Sequence, residues 1–237
     1  MKYWYKTVKS GDIIEVYEYE YHVVVGEPRR RTGPPAEPVD REVYRKRAAW
    51  RASRELRRII NANIGRHGGK DVFMTLTFAE NIQDIKQANY EFKKFRQRLE
   101  YELKLKLKYV CIIEFQRRGA IHYHLLLFGL PYIPADLVRQ IWGHGFVKLN
   151  VIDNVDNVGA YVCKYMGKNI DDDRLKGQKS YFTSRGLYKP VEKVLQEKEI
   201  DQLRAGLSRF KVYEANFRND YTGNIRYEQY NLNRIPR

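Results

Sequence analysis

The stretch Gly119-Ala-Ile-His-Tyr-His-Leu-Leu-Leu-Phe128 sets two histidines in an apolar run, and its period governs how the rest of the chain is read. Apolar residues on both sides give it the character of a strand, whose side chains alternate between faces. His122 and His124 then project the same way, with Cβ atoms roughly 6.6 Å apart, and both imidazoles can reach one metal ion. Tyr123 points to the opposite face with Ile121 and Leu125. Taken alone, a His-x-His pair is also compatible with two polar residues on the wet face of a half-buried strand. The neighbouring segments decide between these readings.

Val72-Phe-Met-Thr-Leu-Thr-Phe78 has strand composition. Asn81 is the expected cap of a following helix, with Ile85, Ala88, Phe92, Phe95, Leu99 and Leu103 spaced by three and four. A strand from Tyr109 to Phe115 precedes the histidine strand across a short Arg117-Arg118-Gly119 connection. Pro134 opens a helix to Trp142, Phe146 to Val151 is a further strand, and a helix from Asn157 to Asn169 follows. The expected class is α+β: a central antiparallel sheet with the β-α-β-β-α-β order of ferredoxin-like folds and helices packed on it. Right-handed crossovers place the third of these strands centrally, beside the first. The histidines would then stand in the middle of a sheet face.

The hairpin supplies a third ligand. With Gly119 in the left-handed position of a three-residue turn, Glu114 lies directly opposite His122, on the same face at ~5 Å. Gln116 shares that face as an outer ligand. Two imidazoles and a carboxylate with open positions suit Mn²⁺ or Mg²⁺ acting on a phosphate. A structural zinc site wants four ligands, usually with thiolates, and no cysteine pair is spaced for it. His144, in Trp142-Gly-His-Gly145, reads as part of a turn rather than as a ligand, and His22 and His67 carry no usable pattern.

A second constellation is Gly159-Ala-Tyr-Val-Cys-Lys-Tyr-Met-Gly-Lys168. On a helix, Tyr161, Lys164, Tyr165 and Lys168 form one stripe, with Val158, Val162 and Met166 as an anchoring face. A tyrosine hydroxyl with a pKa near 10 needs a polarised phosphorus and an adjacent positive charge to act as a nucleophile, and Lys164 provides that charge. Surface tyrosines flanked by lysine would look the same in isolation. Beside a metal site, catalysis is the stronger reading.

The 237 residues suit one large domain or a domain with extensions. Lys and Arg number 44 against 29 Asp and Glu, a net charge of +15 that favours a polyanionic partner. Nineteen Tyr and ten Phe offer stacking surfaces for unpaired bases. Cys111 and Cys163 sit in apolar segments as small buried hydrophobes. No apolar run reaches membrane-spanning length, and the expectation is a cytoplasmic protein that faces nucleic acid. Three segments are expected, packed as one compact unit. Residues 1–63 hold a strand at Ile13 to Val25, a Pro- and Arg-rich loop from Glu27 to Pro38, and a basic helix capped by Asp40. Residues 64–190 are the core, and 191–237 hold a helix and a hairpin from Phe210–Phe217 and Ile225–Leu232.

On these residues the chain resembles rolling-circle replication initiators of the HUH endonuclease superfamily. Phe73-Met-Thr-Leu-Thr-Phe78 is similar to the family's first motif, Ile121-His-Tyr-His-Leu125 to its metal motif, and Tyr161-Val-Cys-Lys164 to its nucleophile motif. Tyr165 extends the last to the two-tyrosine form of single-stranded DNA phage initiators. Ser180-Tyr-Phe-Thr-Ser-Arg-Gly-Leu-Tyr-Lys-Pro190 resembles segments of plasmid and phage initiators. The resemblance implies nicking of a single-stranded, hairpin-bearing origin: Glu114, His122 and His124 hold the metal, and Tyr161 attacks with Lys164 beside it. A 5′-phosphotyrosyl link and a priming 3′-hydroxyl result, and Tyr165 serves in a second transfer. Arg117, Arg118, Lys168 and Arg185 are the candidate DNA contacts. Gly65-Arg-His-Gly-Gly-Lys-Asp71 is not a Walker loop, so unwinding is left to a host helicase and extension to a host polymerase.

Three rivals stand beside this reading. A relaxase or single-tyrosine transposase shares the chemistry, but the Thr-Leu-Thr strand and paired tyrosines favour replication. A non-catalytic RNA-binding module shares the element order, but wants outward aromatics where this chain has histidines. A nuclease using water leaves the tyrosine stripe unexplained.

Overall fold

A computed structural model describes residues 2–24, 26, 41–152, 157–167, 173–175 and 178–234. The expected loop at Glu27–Pro38, the cap Asp40 and the stripe residue Lys168 lie outside the described residues. The fold is mixed α+β with two five-stranded antiparallel sheets and five α-helices. The chain divides into two compact units at boundaries other than the three drawn from sequence. One is Met1–Tyr44 with Lys189–Arg237, the other Arg45–Tyr188.

The second unit carries β3 (Lys70–Thr77), α2 (Ile85–Leu103), β4 (Lys108–Phe115), β5 (Ile121–Leu130), α3 (Ala135–Trp142), β6 (Val147–Val151), α4 (Val158–Gly167) and β7 (Tyr181–Thr183). Its sheet runs β6-β3-β5-β4-β7, so the histidine strand β5 lies centrally and beside β3, as expected. Met74, Leu76, Tyr123, Leu125, Cys111 and Ile113 form one buried face, covered by Phe92, Phe95 and Leu99 of α2 and Trp142 of α3. Phe73, Val110, Ile112 and Leu126 form the other, against Val158 and Val162 of α4 and Leu56 and Ile60 of α1 (Arg41–Asn63). Strands buried on both faces read as continuous apolar runs, which is why Leu125-Leu-Leu-Phe128 loses its alternation. Both cysteines are free and buried.

One helix start is corrected. Asp84, not Asn81, caps α2, its carboxylate accepting from Gln87 N at 2.8 Å. Both residue types cap well. Ile82 O, however, accepts from Ile121 N at 2.9 Å, which holds residues 81–83 alongside β5 and delays the helix.

The first unit holds β1 (Lys2–Ser10), β2 (Ile13–Val24), β8 (Val191–Leu195), α5 (Glu197–Leu207), β9 (Lys211–Asn219) and β10 (Gly223–Asn231), in sheet order β8-β1-β2-β10-β9. The C-terminal hairpin is present as β9 and β10. Strands β1, β7 and β8 were not read from the sequence. Ile200, Leu203 and Leu207 of α5 pack on Ile14, Val16 and Tyr230. Arg204 of α5 pairs with both Glu18 and the buried Glu228 at 2.6 Å, and Lys211 meets Glu228 at 2.7 Å. Glu228 sits at the centre of this network.

Candidate active site

The β4–β5 turn has the expected form. Gly119 takes φ 93°, Gly119 N donates to Gln116 O, and Gln116 N donates to Ala120 O, both at 2.8 Å. Glu114 accordingly pairs with His122 across the hairpin. A Cβ at residue 119 would lie 2.8 Å from the Gln83 side chain, so both the conformation and the space favour glycine.

Glu114, His122 and His124 bring ligand atoms within 4.8 Å of one another. His124 Nε2 contacts Glu114 Oε2 directly. On the other side of the ring, His124 Nδ1 meets Thr75 Oγ1 at 3.2 Å. An imidazole held through one nitrogen keeps its other nitrogen aimed at a fixed point, the usual support of a metal-ligating histidine. The donor set of two nitrogens and one carboxylate therefore fits a divalent cation. It leaves ligand positions open for substrate oxygen.

The remaining histidines are placed elsewhere. His144 pairs with Glu91 at 3.1 Å. His67 bonds Asn63 Oδ1 at 2.7 Å, and burial lowers its pKa despite Asp71 nearby. His22 packs against Trp4.

Helix α4 presents both tyrosines to this cluster. The Tyr165 ring stacks on His124 with centroids 4.0 Å apart and on Phe73 at 5.3 Å. Tyr161 meets Phe73 edge-on at 5.9 Å and is 36% exposed. Phe73 also stacks on His124, so one buried ring supports both tyrosines and a histidine. The two tyrosine hydroxyls share a hydrogen bond. Burial, then that bond and the nearby Glu114 charge, push the Tyr165 phenol up to about 12. Lys164 Nζ stands 5.9 Å from the Tyr161 ring.

The position of α4 depends on a close helix contact. Gly159 N donates to Asn61 Oδ1 at 2.8 Å, Asn61 Nδ2 donates to Asn157 Oδ1 at 3.0 Å, and a Cβ on Gly159 would lie 2.4 Å from Arg57 O. Phe73, Thr75 and Gly159 were not identified from sequence as supports of the site. Their only signal was the Thr-Leu-Thr strand and the glycine that opens the tyrosine segment.

A cleft of about 610 Å³ is lined by Thr75, Glu114, Gln116, Arg117, Arg118, His122, His124 and Tyr165. Arg117 is exposed at its rim. Arg118 bonds Gln116 Oε1 at 2.9 Å and the carbonyls of Phe78 and Ala79, fastening the turn to the end of β3. Arg185 does not line the cleft. It is exposed beyond β7, and its carbonyl accepts from Lys108 Nζ at 2.9 Å. No helix among the described residues is long and apolar enough to cross a membrane.

Residues 71–170 match the family described as Replication-associated protein, ORF2 type. The matched segment includes Glu114, both cluster histidines, Lys164 and both tyrosines, and it supports a rolling-circle replication initiator family. Neither the curated proteins nor the solved structures contain a match to the chain.

Proposed function

From the replication-associated family match and the grouping of two tyrosines with a metal-fit triad, we propose that this chain is a replication initiator of the two-tyrosine type. It would nick single-stranded origin DNA, presented in a hairpin, of a plasmid or phage replicon in the cytoplasm. The observation that carries the reading is the stacking of Tyr165 on His124, with Tyr161 hydrogen-bonded to Tyr165. A phenol close to a metal-ligand set has no role in an RNA-binding module or in hydrolysis by water.

Glu114, His122 and His124 would hold Mn²⁺ or Mg²⁺, which when bound supplies Lewis acidity toward a phosphate oxygen. Tyr161 is the more exposed hydroxyl, with Lys164 beside it, and attacks the scissile phosphorus. The phosphorus–O3′ bond breaks, the phenol proton leaves, and the departing oxygen takes up a proton as a 3′-hydroxyl. The new ester on Tyr161 retains the phosphodiester, so a later 3′-hydroxyl can displace the tyrosine and rejoin the strand without ATP. Tyr165 accepts the strand in that later transfer. Arg117, Arg118, Lys168 and Arg185 contact DNA phosphates, a host polymerase extends the 3′-hydroxyl, and a host helicase unwinds ahead of it.

The test is incubation with single-stranded candidate origin DNA and Mn²⁺, followed by denaturing electrophoresis. A metal-dependent protein–DNA adduct is expected. Cleavage to free ends with no adduct at any time would instead identify a water-using nuclease.

A further inference from the structure

The sheet face that bears the histidines continues past them onto the edge strand β6. Thr75 pairs with His124 on one side and with Lys148 on the other. Leu76 pairs with Val147, which sets Phe146 beside Thr77, and Thr77 pairs with His122. Residues directly paired across strands share a face. Phe146 and Lys148 therefore stand in the rows of His122 and His124, two strands and ~10 Å away. Val147 between them points into the core and is 1% exposed.

Phe146 is 62% exposed, and Lys148 is exposed with no side-chain partner among the described residues. The loop carrying the phenylalanine is nonetheless firmly held. Thr77 donates to Phe146 O through its backbone N at 3.0 Å and its Oγ1 at 2.9 Å. Ala79 N donates to His144 O at 2.7 Å, and Trp142 Nε1 donates to Thr77 O at 2.8 Å. At Gly145 a Cβ would lie 2.6 Å from Ala79 N, so the loop approaches β3 as closely as glycine permits. An aromatic ring presented to water by a fixed backbone, with a lysine two residues on, has the elements of a base-stacking platform beside a phosphate contact. Packing does not account for a phenylalanine there.

We propose that Phe146 and Lys148 form a nucleotide subsite for single-stranded DNA. A base neighbouring the scissile phosphate stacks on Phe146, and a backbone phosphate pairs with Lys148. The subsite rests on the nicking proposal only for which phosphate lies in the cleft. It orients the strand across the sheet, toward β6 on one side of the histidines.

The test compares metal-free binding of oligothymidylate with binding of an abasic oligomer of equal length, by fluorescence anisotropy. Phe146→Ala should weaken oligothymidylate binding by roughly 5- to 150-fold, the value of one stacked base, and leave the abasic oligomer unaffected. Phe146→Tyr should restore the wild-type preference. Lys148→Ala should weaken both ligands and lower the salt slope by about 0.7. A Phe146→Ala loss equal on both oligomers, or no loss on either, overturns the subsite. Failure of the nicking proposal reads differently: the wild type would form no Mn²⁺-dependent adduct, whatever its preference between the oligomers.

Discussion

The Tyr165 ring lies on the His124 imidazole, with planes inclined by 29° and centroids 4.0 Å apart. This contact ties the helix that carries the tyrosines to the strand that carries the metal ligands. Tyr165 is thus both a cleft wall and a hydrogen-bond partner of Tyr161. Substitutions at the two tyrosines should separate these roles. Tyr161→Phe should abolish the first covalent adduct with a stability change within about 0.5 kcal/mol, since its ring is at the surface. Tyr165→Phe should keep the adduct and impair release of closed circles. Peptide mapping that finds DNA on Tyr165 alone in the wild type would reverse the assignment.

Metal and DNA affinity should be separable. The basic residues outside the triad grip phosphates without a metal, so His124→Ala should bind single-stranded DNA within about twofold of wild type, with the same steep salt dependence. Its cleavage should be undetectable. Cleavage at wild-type rate by this variant would remove His124 from the site.

Glu114 supplies the only carboxylate of the triad. Glu114→Ala should weaken Mn²⁺ binding by roughly 100-fold, measured by calorimetric titration, with circular dichroism unchanged. Unaltered Mn²⁺ affinity would shift the third ligand to Gln116 or to another acidic group.

Gly159→Ala would drive a methyl group into Arg57 O and Asn61 Oδ1. Overpacking of this kind costs about 1–3 kcal/mol. Denaturant titration should show that loss, and adduct formation should fall with it because α4 shifts relative to Phe73. Wild-type stability for the variant would mean that α1 and α4 separate more easily than their hydrogen bonds indicate.

The first unit should be acid-sensitive through Glu228. Burial alone would raise its pKa, but hydrogen bonds from Lys211 and Arg204 outweigh burial and lower it. A lowered folded-state pKa stabilises above the unfolded value of about 4.3 and is lost as pH falls through the folded one. Glu228→Gln should cost roughly 3 kcal/mol at neutral pH, because two cations lose a buried partner, and much less at low pH. Equal losses at pH 7 and pH 3 in urea titrations would exclude this linkage.

The metal triad was legible because its geometry is local. A three-residue turn fixes the β4–β5 register, and alternation does the rest. The supports of the triad were not legible, because they come from pairings across distance: Thr75 reaches His124 from 49 residues away, and Phe146 enters the histidine face only through β3. Alternation marked Val16-Tyr-Glu-Tyr-Glu-Tyr21 as strand, but periodicity does not name a partner, and β2 pairs with β10 near the far end of the chain. The start of α2 was misplaced for a related reason, since a long-range bond to Ile121 outweighed a local cap.

The sheet β8-β1-β2-β10-β9 also imposes an order of events on synthesis. The β1–β2 hairpin is made first, yet its two outer edges are filled by β8 and β10, which follow the whole of Arg45–Tyr188. At 5–20 residues per second the ribosome takes on the order of ten to thirty seconds to cross that interval. Through it, a tyrosine-rich hairpin stands with both edges open to pairing, the condition that invites strand exchange between chains. The unit made of residues 45–188 draws all its strands from one continuous stretch, so it can be complete before the last strands of the other have been made.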